Sequence, residues 1–359
     1  MTQASQTAEH SSSADVGAKT VAVVGATGAV GAEMLRCLEE STFPTGTLKA
    51  FASERSAGKR FKFRGREVEM QVLTEDAFAG CDVVLFASES DISKQYVPIA
   101  TQAGAYAIDN SSAFRMDASV PLVVPEVNGE LISPAQKVYA NPNCVAAIMV
   151  MALWPLHQAG KLKRVIASTY QSASGAGRPA MDELEESTRA YLKGERYQPR
   201  VLPHPYAFNL FSHNTAIGAD GYNGEEQKVV AELRKIMGLP ELRVGVTCVR
   251  VPVLRAHSMA ITAEFDSKVS VDAARALLAK APGVKVVDDR ERNHFPMPIE
   301  SGGQNDVLVG RIREDISDPT GHSLALFISG DQLLKGAALT RCRSRNVLLR
   351  LSRVECCDA

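Results

Sequence analysis

The sequence predicts an α/β fold, a doubly wound parallel sheet joined to a second domain of α+β type. Three observations carry that expectation. Short apolar runs alternate with helical patterns up to residue 143, which marks a parallel sheet with helices on its faces. A glycine-rich turn, Gly25-Ala26-Thr27-Gly28-Ala29-Val30-Gly31, follows the first of those runs and opens a helical pattern. Beyond Cys144 the chain changes to longer strand patterns separated by loops rich in Pro, Asn and Gly. At 359 residues the chain has room for about two domains.

The elements follow in order. Residues 1–19 are polar and rich in Ser, Ala and Thr, and they read as a disordered tail. They lack the basic start and apolar core of a secretory signal, and the absence of Arg argues against a transit peptide. Residues 20–24 are a β-branched apolar strand, and Val30, Met34, Leu35 and Leu38 then share one helix face. Residues 48–52, 82–87, 106–109 and 122–124 are further apolar runs. An apolar strand-like stretch precedes Asn141-Pro142-Asn143-Cys144, and a helix runs from Val145 to about Ala159. A strand at 165–170, a glycine-rich loop at 174–177 and a charged helix from Pro179 to about Lys193 come next. Residues 194–224 read as mostly loop, and 225–237 as an amphipathic helix. Strands at 242–251 and 257–265, a helix at 271–280 and later strands complete the second domain.

The composition is that of an ordinary soluble globular chain, 45% hydrophobic and 23% charged. A net charge of -1 gives no global field toward nucleic acid or a membrane surface. No apolar run approaches the ~18 residues of a membrane span. Seven cysteines without regular spacing predict reduced thiols and a cytoplasmic location rather than a disulfide framework. Cys356-Cys357 has no His partner at ligand spacing, so no metal site is expected. Cys37, Cys81 and Cys248 read as buried structural residues.

Two places carry chemistry. Gly25, Gly28 and Gly31, between a strand and a helix, permit a tight turn and close approach of a pyrophosphate to the helix N-terminus. That makes the first domain a Rossmann-type nucleotide binder, although the spacing is G-x-x-G-x-x-G and a tight turn without ligand is the alternative. After the second strand, Ser53-Glu54-Arg55-Ser56 puts Arg55 and Ser56 where a 2′-phosphate would sit, with Lys59 and Arg60 nearby. This favours NADP over NAD; Glu54 is the awkward member, and a solvated charge run is the bland reading. Cys144 is the second place. A helix N-terminus favours the thiolate, so the cysteine reads as a prepared nucleophile rather than a core thiol. Of seven histidines, His257 follows Arg250-Val251-Pro252-Val253-Leu254-Arg255 and is the modest favourite as its proton partner. His157 reads as structural, and His204, His213, His294 and His322 fall in loop-like stretches.

The glycine turn, Asn141-Pro142-Asn143-Cys144, Tyr170-Gln171-Ser172-Ala173-Ser174-Gly175-Ala176-Gly177, Glu225-Glu226-Gln227-Lys228, Arg250-Val251-Pro252-Val253 with His257, and Gly330-Asp331-Gln332 together resemble the aspartate-β-semialdehyde dehydrogenase family, in order from about residue 20 to 339. The resemblance implies reduction of L-aspartyl-4-phosphate by NADPH to L-aspartate-4-semialdehyde through a cysteine thioester, on the route to lysine (via diaminopimelate), threonine, methionine and isoleucine. It implies Cys144 as nucleophile, His257 as the acid–base group in thiol activation and collapse, and Gln171 as a substrate-positioning amide. Arg250 would hold the α-carboxylate and Glu225 the α-ammonium. Arg115, Lys228 and Asn143 match a phosphate site. Thr27, Ala29 and Val30 in the turn, Ser53, Ser174, Gly175 and Gln332 match cofactor contacts. It also implies a homodimer or a tetramer built from dimers. The implied domains are 20–143 plus 324–359 for the cofactor and 144–323 for catalysis and dimerisation. The alternatives are an N-acetyl-γ-glutamyl-phosphate reductase, which usually has Gly where Asn143 stands, and a catalytically impaired relative. From Thr340 the chain departs from the family. Thr340-Arg341-Cys342-Arg343-Ser344-Arg345 is what the family segment becomes when read one nucleotide out of frame.

Overall fold

The computed structural model describes residues 17–338. The expected tail up to residue 16 and the departure from Thr340 onward lie outside the described residues.

The first sheet has the order β3-β4-β2-β1-β5-β6-β7, with β1 Lys19–Val24, β2 Thr45–Ala52, β3 Arg60–Phe63, β4 Arg66–Val72, β5 Val83–Phe86, β6 Tyr106–Asp109 and β7 Val138–Ala140. Only the β3–β4 pair is antiparallel. Helices α1 (Ala29–Glu40) and α2 (Ser90–Gln102) are its main crossovers. Lys19 already pairs in β1, so the boundary expected after residue 19 moves to before it. The hairpin β3–β4 escaped the sequence reading because its strands are short and mostly exposed, with charged residues breaking the apolar alternation. Residues 122–124 form no strand. Leu122 makes a single bridge to Ala140, and the run is apolar because it is buried under the neighbouring helices.

The second sheet is mixed, in the order β12-β13-β14-β11-β8-β10-β9. Its strands are β8 Leu162–Gln171, β9 Phe211–Ser212, β10 Arg243–Arg250, β11 His257–Phe265, β12 Val284–Val286, β13 Val307–Glu314 and β14 Ser323–Gly330. Three helices of this half matter for the site: α3 (Cys144–Gly160), α4 (Arg178–Leu192) and α5 (Gly224–Met237). Helix α3 is apolar on all sides, and eleven of its residues are buried, as a helix enclosed by its surroundings must be. It packs on the second sheet, in one core with Val120, Leu122, Val124 and Val127.

The strand order corrects one expected boundary. β14 pairs with β11 and β13, so residues 324–330 belong to the second sheet rather than to the cofactor domain. The chain returns to the first core only afterwards, where Leu334 and Ala338 pack with Met34, Leu38 and Leu85. Among the described residues no helix is long and apolar enough to cross a membrane.

Candidate active site

The glycine turn sits where β1 ends. Gly25 has φ +79°, and a Cβ there would lie 2.7 Å from the Ala87 carbonyl oxygen. The turn therefore needs glycine for its conformation and for space. Gly31 serves packing: a Cβ on it would lie 2.1 Å from the Gly25 carbonyl oxygen, so the helix could not approach the strand. Gly28 caps α1 without a side-chain acceptor, and the first turn carries no acid. Its N–H groups are left to an anion. A dinucleotide fits this cradle.

A cleft of about 800 Å³ begins at Thr27, Gly28, Ala29 and Val30 and runs to Cys144. Arg115, Asn143, Gln171, Ser174, Gly175, Glu225, Lys228, Arg250 and Gln332 also line it. A second cavity of about 550 Å³ lies on the other side of Gly25, lined by Phe51, Ser53, Glu54, Arg55, Leu73 and Tyr96. Its apolar wall suits a nucleoside base. Ser53, Glu54 and Arg55 are all exposed. Ser56 lines neither cavity; its N–H closes a turn on the Ser53 carbonyl at 2.8 Å. Gly31 is buried beneath the turn and also lines neither.

Cys144 is the first residue of α3, partly exposed to the cleft. Asn143 caps the helix: its Oδ1 accepts from the Val145 and Ala146 N–H groups at 2.8 and 3.4 Å. Its Nδ2 donates to Glu225 Oε1 at 2.9 Å, and Gln171 Nε2 donates to the same oxygen at 3.1 Å. Burial opposes the Glu225 carboxylate, but its charged and hydrogen-bonding neighbours outweigh that, and its pKa is lowered.

The helix terminus does not make a resting thiolate. Burial first, and Glu225 second, push the Cys144 thiol up to about 12, against Arg115 and Arg250. This corrects the expectation of a prepared thiolate: a partial helix charge is weaker than desolvation beside a carboxylate.

Arg115 is buried on three partners. Its Nε donates to the Asn141 carbonyl at 2.9 Å, Nη2 to the Asn110 carbonyl at 2.6 Å, and Nη1 to Glu232 Oε1 at 3.0 Å. One N–H on each terminal nitrogen remains for a ligand. The other Glu232 oxygen accepts from the Asn143 N–H. Arg250 donates from Nη2 to His213 Nε2 at 2.8 Å and from Nη1 to the Ser172 carbonyl at 3.3 Å. Its buried Nε has no partner among the described residues, as befits a contact that awaits a ligand. Burial, then Arg250, lower the His213 pKa to about 4, so it is a neutral acceptor at pH 7.

His257 starts β11 behind Ala256, which is held at φ +75°. The ring is fully buried and lies outside the cleft wall. A Cβ on Gly175 would lie 2.9 Å from its Nε2, so glycine alone lets the loop close over the ring. Burial first, then Arg250 and His213, hold the imidazole well below its usual pKa.

Glu232, His213 and Ser172 were missed by the sequence reading. Glu232 had a signal, lying two turns after Glu225 on the same helix face. His213 and Ser172 had none. Gly336 was also missed: a Cβ there would lie 2.7 Å from Cys144 Cβ, so the returning chain packs directly on Cys144.

Residues 20–135 match the family model described as the semialdehyde dehydrogenase NAD-binding domain. Residues 153–335 match the semialdehyde dehydrogenase dimerisation domain. Fold and site together thus define an oxidoreductase of the semialdehyde dehydrogenase class. The aspartate-semialdehyde dehydrogenase of a Synechocystis species is 50% identical over 329 residues, 92% of this chain and 97% of that protein. The Bacillus subtilis enzyme of the same name is 42% identical over 342 residues, 93% and 98% of the two chains. The crystal structure of Vibrio cholerae aspartate semialdehyde dehydrogenase II complexed with ASA superposes with TM-score 0.90 at 37% identity, covering 93% of this chain and 99% of that one. The chain belongs to the aspartate-semialdehyde dehydrogenase family.

Proposed function

We propose that the protein catalyses the NADPH-dependent reduction of L-aspartyl-4-phosphate to L-aspartate-4-semialdehyde through a thioester on Cys144. The observation that supports it most is the continuous cleft from the glycine turn to Cys144. Arg250 presents an unpartnered donor to the substrate α-carboxylate. Glu225 meets the α-ammonium, with Asn143 and Gln171 fixing its orientation. Arg115 and Lys228 hold the phosphoryl group, with Asn143 lining the same part of the cleft. The Cys144 thiol gives its proton to His257 as the sulfur attacks the acyl carbon, the bond from that carbon to the phosphate oxygen breaks, and phosphate leaves. NADPH, when bound, would supply the hydride for the acyl carbon. His257, carrying the thiol proton, steadies the oxygen of the resulting thiohemiacetal and returns that proton to the sulfur as the carbonyl re-forms. Gly25, Thr27, Gly28, Ala29 and Val30 cradle the pyrophosphate, and Ser53 and Arg55 border the adenosine end. Ser174, Gly175 and Gln332, which line the same cleft, would hold the nicotinamide end. The working form is a cytoplasmic homodimer joined through the second domain, within the biosynthesis of lysine, threonine, methionine and isoleucine.

The test is phosphate-dependent NADPH formation from aspartate semialdehyde by the purified protein. N-acetylglutamate semialdehyde is assayed in parallel. Turnover of the first alone is expected. Preference for the second, or cofactor binding without turnover of either, overturns the reading.

A further inference from the structure

Two buried arginines line the cleft, and they are held in opposite ways. Arg115 sits on the Glu232 carboxylate at 3.0 Å, so its charge is already answered by a protein anion. Arg250 makes no ion pair with a described residue. Its two terminal nitrogens rest on neutral acceptors instead, His213 Nε2 at 2.8 Å and the Ser172 carbonyl at 3.3 Å. Arg250 and His213 are both buried, and both line the cleft. A buried cation without a counter-charge is costly, and the open Nε of Arg250 is where an anion is still wanted. The ring that holds it is itself fixed. A guanidinium only donates, so Nε2 of His213 is the acceptor and the single proton of the neutral ring is on Nδ1. Nδ1 then donates to Thr215 Oγ1 at 3.3 Å. That hydroxyl also accepts from the Glu225 N–H at 3.0 Å and donates to Asn223 Oδ1 at 3.3 Å. Its one proton and both lone pairs are thereby used. Asn223 caps α5, whose first turn carries Glu225. The backbone N–H of His213 donates to the Cys248 carbonyl at 2.8 Å, on the strand that carries Arg250.

We propose that His213 is a positioning residue that aims Arg250 without neutralising it, so that the guanidinium keeps its charge for the substrate carboxylate, and that its link through Thr215 sets Arg250 and Glu225 at the spacing of a free α-amino acid. The inference rests on the reaction proposed above. A carboxylate in place of the imidazole would hold Arg250 equally well and compete with the substrate for it. A side chain without an acceptor would leave the guanidinium free to turn. The charged or titratable groups around the ring are Arg250 on β10, Glu225 and Lys228 on α5, and His257 at the start of β11. Burial and Arg250 outweigh Glu225 and keep the ring neutral, which is the state the proposal requires.

The test compares H213Q, H213E and H213L. Gln and Glu have one shape, and only Glu brings a charge; beside Arg250 its carboxylate stays ionised. Each variant is assayed with aspartate semialdehyde and with 3-aminopropanal, which lacks the α-carboxylate. H213Q, which restores a neutral acceptor, should keep the KM for aspartate semialdehyde within about threefold of the parent. H213E should raise that KM by roughly tenfold or more with a much smaller change in kcat, and H213L should fall between them. The preference for aspartate semialdehyde over 3-aminopropanal should fall in the same order, while the KM for NADP stays put. If H213E behaves as H213Q does, the charge argument is overturned. If all the constants move together for both aldehydes, His213 is only structural and the proposal fails. A second readout needs no substrate. In protein labelled with 15N-histidine, the signal lost in H213Q should show a protonated Nδ1 and an imine-like Nε2 at neutral pH. A proton on Nε2, or an imidazolium there, overturns the proposal. Turnover by the parent protein tests the reaction, and the differences among variants test His213, so the two can fail separately.

Discussion

The two ends of the cleft are built from different materials. At the cofactor end the work is done by backbone: a turn shaped by Gly25, a helix start without a cap, and Gly31 letting strand and helix touch. At the cysteine end it is done by buried side chains from distant parts of the chain. Arg115 and Glu232 are 117 residues apart, and Ser172 and His257 are 85 apart. A backbone site is specified by neighbours in sequence. A side-chain site is specified only by the fold that gathers it. One end should therefore fail through loss of space, and the other through loss of a partner.

The sharpest break is Cys144→Ala. Turnover should fall to background while cofactor still binds, measured by the steady-state assay and by quenching of protein fluorescence. Retained turnover would remove Cys144 as nucleophile. Next in size is alkylation of Cys144 by iodoacetamide. The thiol sits at about 12, and the thiolate is the reactive form. Below that value the thiolate fraction rises with pH, so the rate should climb about tenfold per pH unit across the neutral and alkaline range. A plateau near neutrality would restore the thiolate that the helix terminus alone suggests.

Glu232→Ala comes third. It leaves the Arg115 charge buried without its carboxylate and frees the N–H of Asn143. Removing one partner of a buried pair destabilises by roughly 3–5 kcal/mol, which urea denaturation will read. A loss below about 1 kcal/mol, within the range of exposed pairs, would mean that the pair is solvated. Gly31→Ala tests the other end by crowding. Its Cβ would meet the Gly25 carbonyl oxygen at 2.1 Å, and overpacking costs about 1–3 kcal/mol. Cofactor affinity should drop, while Cys144 alkylation in the free protein stays unchanged.

The same contrast explains what the sequence disclosed. The turn, the apolar α3 and the alternating strands were readable because their signals repeat over neighbouring residues. The hairpin β3–β4 was not, since charged residues at Arg60, Lys62, Arg66, Glu67 and Glu69 hide it. Cys144, Gln171, Arg250 and His257 were named from local motifs; the first three line one cleft, and His257 lies behind Gly175 at its wall. Their states were not readable. The raised thiol depends on burial and then on Glu225, 81 residues away, and the depressed His257 on burial and then on Arg250 and His213. The boundary placed at 324 failed for a related reason: an apolar strand does not announce which sheet it will join.

The smallest expected effect concerns the place where the two materials meet. At the adenosine end a backbone cavity is finished by exposed side chains, Ser53, Glu54 and Arg55. Arg55 makes no ion pair with a described residue, so its charge is available to a 2′-phosphate. Glu54 on the same short turn opposes that phosphate and favours a ribose 2′-hydroxyl. A hydrogen bond to a charged group contributes about 1.5–3 kcal/mol, and exposure pulls the value to the low end. Arg55→Ala should therefore raise the KM for NADP by roughly tenfold and leave the KM for NAD nearly unchanged. Glu54→Gln should lower the KM for NADP by a smaller factor. If Arg55→Ala weakens both cofactors equally, the side chain holds the turn rather than the phosphate, and cofactor choice then rests with the backbone, as at the rest of that end.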